Sequence, residues 1–125
     1  MICGIGADIV QVERMKIFLD KYGEGGLDRI FSEEEMLAAS KKADKVIFLA
    51  GRWAAKEAVS KSLGCGIGSE CSWNDVTVSN NDLGAPFVKL KGSALLKSEK
   101  LGVKNVHISI SHEKEYAVAF VILEK

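Results

Sequence analysis

The sequence predicts an α+β fold in which a mainly antiparallel sheet packs against one long helix and several shorter ones. Three observations predict it. Helical patterns crowd the first half of the chain, and short strands joined by turn signals crowd the second. The strand–helix–strand alternation of a doubly wound sheet is too weak to support that alternative. A length of 125 residues suits one domain, residues 1–125, with a real core and no second one.

The elements follow in order. Ile2 to Val12 is a strand, rich in β-branched and small residues, with Ile2, Gly4, Gly6, Asp8 and Val10 on one face. Arg14 to Tyr22 is a short amphipathic helix with Met15, Phe18 and Leu19 on one side, stopping before Gly23. Ser32 and Glu35 form a capping box, so a helix starts there and runs to about Lys41. Asp44 caps the long helix, which ends near Leu63 with Gly64 as its stop. Trp73 to Val78 and Phe87 to Leu90 are short strands, joined by the turn cluster Ser79 to Pro86. Ser93 to Lys100 is a helix that Gly102 ends. Val106 to Ser111 alternates apolar and polar residues, as a half-buried strand does. Tyr116 to Leu123 is apolar on both faces and is expected to be central.

Composition narrows the function. A net charge of zero and a pI near 6.7 argue against general nucleic-acid or membrane-surface binding. No run approaches the roughly 18–20 apolar residues of a membrane span. The first residues lack a basic segment, so no secretion signal is expected. Cys3, Cys65 and Cys71 are odd in number and lack metal-ligand spacing, which predicts free thiols in a reducing cytoplasm. The rival reading is a reactive thiol at Cys65.

The most informative stretch is Arg52 to Lys61 in the long helix. Helical geometry puts Glu57 and Lys61 on one stripe and Arg52 and Lys56 on another, with alanine between. The small residues suggest clearance for a charged ligand. Asp8 stands mid-strand, where aspartate is disfavoured. It is either bonded to nearby backbone or a ligand for a hard metal, and Gly4 and Gly6 on its face would let a bulky ligand approach. Glu57 is the natural second ligand, because Mg²⁺ takes one or two carboxylates with waters and phosphate oxygens. Its plain alternative is a surface pair with Lys61. The loop Gly64-Cys65-Gly66-Ile67-Gly68 could bring backbone N–H groups to phosphate, although Gly64 is equally explained as a helix stop. It follows a helix and so is no P-loop. His112, at a strand end, is either a ligand-facing group or an ordinary surface histidine. His107 falls on the opposite face.

Taken together, these segments resemble the holo-acyl-carrier-protein synthases, the small type of 4′-phosphopantetheinyl transferase. The resemblance rests on Gly4-Ile5-Gly6-Ala7-Asp8-Ile9-Val10 with Arg14, on Phe31 to Glu35, and on Arg52-Trp53-Ala54-Ala55-Lys56-Glu57-Ala58-Val59-Ser60-Lys61 through Gly64. Gly84-Ala85-Pro86 and Ser109-Ile110-Ser111-His112-Glu113 through Ala119 complete it. These pieces keep the family's order and cover essentially the whole chain.

The resemblance implies transfer of 4′-phosphopantetheine from coenzyme A to a serine of apo-acyl carrier protein, releasing adenosine 3′,5′-bisphosphate, in support of fatty acid biosynthesis. It implies Mg²⁺ held by Asp8 and Glu57, and Lys61 at the leaving phosphate. The base is Glu57 or a metal-held water. Arg52, Lys56 and His112 become candidates for the phosphates of coenzyme A, and Gly64, Cys65, Gly66 and Pro86 for its path. Cys65 departs from the family's small hydroxyl residue, so Cys65→Thr should tighten coenzyme A if that hydroxyl matters. Arg14, Phe18 and Lys21 become candidates for carrier docking, diluted here by Glu13, Asp20 and Glu24. A cytoplasmic homotrimer is implied, with active sites between subunits, and Tyr116 to Leu123 could offer a partner an edge. The alternatives are a non-catalytic coenzyme A or nucleotide-binding module and a structural subunit whose charges form only salt bridges.

Overall fold

A computed structural model describes residues 1–125. In chain order it contains β1 (Ile2–Gln11), α1 (Val12–Asp28), α2 (Glu33–Ser40), α3 (Lys45–Ser62), β2 (Val76–Asn80), β3 (Pro86–Leu90), α4 (Gly92–Lys100), β4 (Asn105–His112) and β5 (Tyr116–Glu124). The main sheet has the order β1-β5-β4, antiparallel throughout, and β2 and β3 form a separate hairpin. The α+β reading holds, and β5 is the central strand.

The alternation seen in sequence sets the two faces of the sheet. Ala117, Ala119, Val121 and Leu123 turn inward and are buried, whereas Phe120 and Ile122 turn outward. Helix α3 lies across the inner face, and its Leu49, Ala50, Ala54, Ala55, Ala58 and Val59 are wholly buried. Burying a leucine or valine fully is worth about 1.5–3 kcal/mol, so this contact is the centre of the fold. The alanines are therefore clearance for the sheet, and the expectation that they make room for a ligand is corrected.

Gly4 and Gly6 have the same explanation. A Cβ at Gly6 would lie 2.0 Å from the Ala58 carbonyl oxygen, and one at Gly4 would lie 2.3 Å from that of Ser62. The glycine face admits the backbone of α3, and the bulky-ligand reading of that face is likewise corrected.

Three features differ from expectation. Helix α1 continues past Gly23, where φ is +64° and the axis kinks, because Leu27 is drawn wholly into the core beyond it. Trp73–Asp75 is a short 3-10 turn, and the strand begins at Val76. The Asp75 carboxylate accepts hydrogen bonds from Ser72 N–H and Ala94 N–H, both at 3.2 Å, and so holds that turn against the start of α4. Finally, both edges of β5 are paired, so it has no edge to offer a partner. What stays open is the outer face, where Ile5 is 70%, Ile9 63% and Phe120 57% exposed. No helix is long and apolar enough to cross a membrane.

Candidate active site

The close approach of β1 to α3 builds the first half of the site. Strand register puts Asp8 opposite Ala119, on the inner face, where its side chain turns towards α3. Lys61 Nζ donates to Asp8 Oδ1 at 2.8 Å and to the Ala7 carbonyl at 3.2 Å. Its partner is thus Asp8 across the contact, and the plain helix pair with Glu57 does not form. That hydrogen bond raises the Lys61 pKa, so the ammonium stays charged. Glu57, one turn earlier, is half-buried. Burial raises its pKa first and the charge of Asp8 adds to this, against the charges of Lys61 and Arg14.

Two carboxylates therefore stand within each other's field, and one lysine is bonded to Asp8. This donor set fits a hard divalent cation, which would relieve the repulsion and complete its shell with water and phosphate oxygens. No three His, Cys, Asp or Glu side chains converge anywhere in the chain, so a softer all-protein cage is absent.

A second half lies on another side of α3. Arg52 precedes Glu57 by five residues, about 140° around the helix and about 7.5 Å along it. Arg52 is 5% exposed, and its guanidinium donates to Asn80 Oδ1 and lies 4.3 Å from the centroid of the Phe48 ring. Its Nε has no partner. Around it is a cavity of about 220 Å³ that Lys42, His112 and Pro86 also line. Buried positive charge with an unpaired donor is a place for an anion. Asn80 and Lys42 escaped the sequence reading. Asn80 lies in a turn cluster that signals only a loop, and Lys42 lies between two helices with no pattern of its own.

Lys56 is corrected. Its side chain is wholly buried, paired with Glu35 Oε1 at 2.8 Å, and donates to the Trp73 carbonyl at 2.9 Å and to that of Val76. Every proton of the ammonium has a partner, so none is free for phosphate. Glu35 is equally engaged, accepting from Ser32 N–H and Val78 N–H at 2.9 Å each. The loop after α3 is corrected in part. The N–H groups of Gly64, Cys65 and Gly66 donate to the carbonyls of Lys61 and Ser60, so the loop closes the helix instead of cradling phosphate. The Cys65 thiol also turns to the Ser60 carbonyl, at 3.6 Å. Burial raises its pKa and pushes Cys71 up to about 12, so neither is an activated nucleophile. All three cysteines are free.

Arg14, Phe18 and Lys21 lie on α1 beside the first half of the site. Arg14 and Lys21 are exposed, and Ile17, which the sequence reading passed over, is 56% exposed between them. Phe18 is partly spent on packing, with its ring 4.8 Å from that of Tyr22 and 5.5 Å from that of Trp53. His107 is on the outer face, 3.0 Å from Glu124.

Comparison with known proteins identifies the family of the chain. The family model of the 4′-phosphopantetheinyl transferase superfamily matches residues 4–121. A holo-[acyl-carrier-protein] synthase of Vibrio parahaemolyticus is 47% identical over 123 residues, 98% of each chain. The crystal structure of the holo-[acyl-carrier-protein] synthase of Neisseria meningitidis superposes with a TM-score of 0.91 at 38% identity, covering both chains fully. That of Helicobacter pylori, solved in complex with coenzyme A, gives 0.85 at 32% identity over 96% of this chain and 99% of that one. With its antiparallel sheet, its long helix and these full-length matches, the chain belongs to the 4′-phosphopantetheinyl transferase superfamily, among the holo-acyl-carrier-protein synthases.

Proposed function

We infer that this protein transfers 4′-phosphopantetheine from coenzyme A to a serine hydroxyl of apo-acyl carrier protein, giving holo-acyl carrier protein and adenosine 3′,5′-bisphosphate. The observation that carries this reading is the Asp8–Lys61 pair with Glu57 one turn away, in a chain so similar to holo-acyl-carrier-protein synthases. A mere binding module has no use for two carboxylates held in each other's field.

The chemistry is attack of the serine oxygen on the pyrophosphate phosphorus that carries pantetheine. A new P–O bond forms, the bond to the nucleotide phosphate breaks, and the serine proton must be taken up. Charge is the obstacle, so positioning and electrostatic stabilisation do most of the work. Asp8 and Glu57 would hold Mg²⁺, which when bound neutralises pyrophosphate oxygens. Lys61 stays charged through its bond to Asp8 and stabilises the leaving phosphate. Glu57, directly or through a water beside it, would take the serine proton. Arg52 and His112, with Lys42, supply positive charge for the phosphates of coenzyme A, and Pro86 lines the same cavity.

Arg14, Ile17 and Lys21 present a mixed basic and apolar face to the acidic carrier. Arg14→Glu is expected to raise KM for the carrier more than for coenzyme A, and equal effects would remove the docking role. The separation of the Glu57 and Arg52 sites around α3, with the apolar outer face of the sheet, supports a homotrimer in which a neighbour completes the coenzyme A site. Free thiols support a cytoplasmic setting, and a fatty-acid carrier is the proposed acceptor. The direct test is mass spectrometry of an apo-carrier after incubation with enzyme, coenzyme A and Mg²⁺. One phosphopantetheine on serine is expected, and an unmodified carrier sinks the reading.

A further inference from the structure

Asn80 is the last residue of β2 and lines the Arg52 cavity, and no role above is assigned to it. Its side chain makes two hydrogen bonds in opposite senses. Oδ1 accepts from the Arg52 guanidinium, and Nδ2 donates to the Gly84 carbonyl at 2.7 Å. Arginine only donates and a carbonyl only accepts, so the amide fits one way round. Arg52, Asn80, Gly84 and Pro86 all line the same cavity of about 220 Å³. One amide thus joins a charge on α3 to the wall of the cavity that the charge faces.

The turn after β2 has its own closure, and Asn81 supplies it. Asn81 Oδ1 accepts from Leu83 N–H and Ala85 N–H at 3.0 Å each, and its backbone pairs with Ala85 and Gly84 at 2.9 Å. Asn80 is therefore free to serve Arg52, a side chain with many rotamers to lose on binding. The Phe48 ring restrains the guanidinium from one direction, and Asn80 holds one of its nitrogens. Nε is left unpaired in a cavity that Lys42 and His112 also line. A guanidinium fixed before the ligand arrives binds it more tightly. The nature of the holder matters as well. A carboxylate would hold the arginine firmly and cancel its charge. The amide holds it and leaves the whole positive charge for an anion.

Building on the transferase reading, we propose that Asn80 is a positioning residue for coenzyme A, a neutral clamp that fixes Arg52 and the wall at Gly84 and Pro86 around a phosphate of the donor. Its effect falls on donor binding. The side-chain bonds of Asn80 reach only Arg52 and Gly84, and the Arg14 face of α1 is not among them. KM for the carrier is therefore the internal comparison.

Two variants test this. Asn80→Ala removes both hydrogen bonds, and Asn80→Asp keeps the size and the acceptor for Arg52 but adds a negative charge. Binding of adenosine 3′,5′-bisphosphate with Mg²⁺ is measured by calorimetry, and transfer is measured with coenzyme A and apo-acyl carrier protein. In Asn80→Ala the Kd for the nucleotide and the KM for coenzyme A should rise about tenfold, the scale of one lost hydrogen bond to a charged group. KM for the carrier should stay within about twofold. Asn80→Asp should weaken the nucleotide at least as much, with a melting temperature near that of the wild type. Wild-type nucleotide affinity in Asn80→Ala would overturn the proposal. Wild-type affinity in Asn80→Asp would also overturn it, because any acceptor for Arg52 would then suffice. So would equal rises in both KM values, or a lowered melting temperature with Kd intact, which is the signature of a purely structural turn residue. A wild type that does not bind the nucleotide removes the clamp as well. A wild type that binds it but modifies no carrier overturns the transferase reading alone, and the nucleotide affinities of the two variants still decide the role of Asn80.

Discussion

Lys56 and Lys61 sit five residues apart on one helix and have opposite fates. Lys61 is half exposed and holds Asp8, whereas Lys56 is wholly buried and holds Glu35. Burial lowers the Lys56 pKa, opposed by the charge and hydrogen bond of Glu35. Removing one partner of such a pair strands the other, at a cost of about 3–5 kcal/mol. Lys56→Met should therefore lower the melting temperature strongly, with KM for coenzyme A unchanged in the fraction that folds. A phosphate-binding lysine would give the reverse, a raised KM at wild-type stability. Helical spacing shows which residues share a stripe but not what lies opposite. The partners of Lys56 come from Ser32–Glu35 and from the Trp73 and Val76 carbonyls, and no local pattern announces them. The Ser32–Glu35 capping box was legible, but the buried second use of Glu35 was not.

At the scale of elements, the β1–α3 contact governs the site. Asp8 meets Lys61 only because Gly4 and Gly6 let the helix backbone settle on the strand. In Gly6→Ala the new Cβ would be 2.0 Å from Ala58 O and 2.8 Å from Ser62 N, both backbone atoms with little room to yield. Overpacking of this kind costs about 1–3 kcal/mol. It would also push Asp8 away from Glu57, so kcat should fall further than stability alone explains. Gly25→Ala is the control, since a Cβ there meets nothing within 4 Å. It should leave both stability and turnover near wild type. Most elements were readable from period and caps, including the alternating β4 and the apolar, central β5. The meaning of the small residues was not, because alanine and glycine look the same in sequence whether they clear space for a ligand or for a strand.

For the whole molecule, the unfinished surface is the outer face of the sheet. Ile5, Ile9 and Phe120 form an apolar patch on β1 and β5, and a monomer in water gains nothing from it. In a homotrimer this patch would be covered and the Arg52 cavity of one subunit could approach the Lys61 site of another. Sedimentation should report a trimer of the 13.5 kDa chain, and Phe120→Lys should give monomers with reduced transfer. A fully active monomer would remove the trimer. The central claim concerns a smaller object, the carboxylate pair at the β1–α3 contact. Its most direct test is transfer by Asp8→Ala at saturating Mg²⁺, with circular dichroism to confirm the fold. The account predicts a folded variant that leaves the apo-carrier unmodified. Turnover near that of the wild type would contradict it.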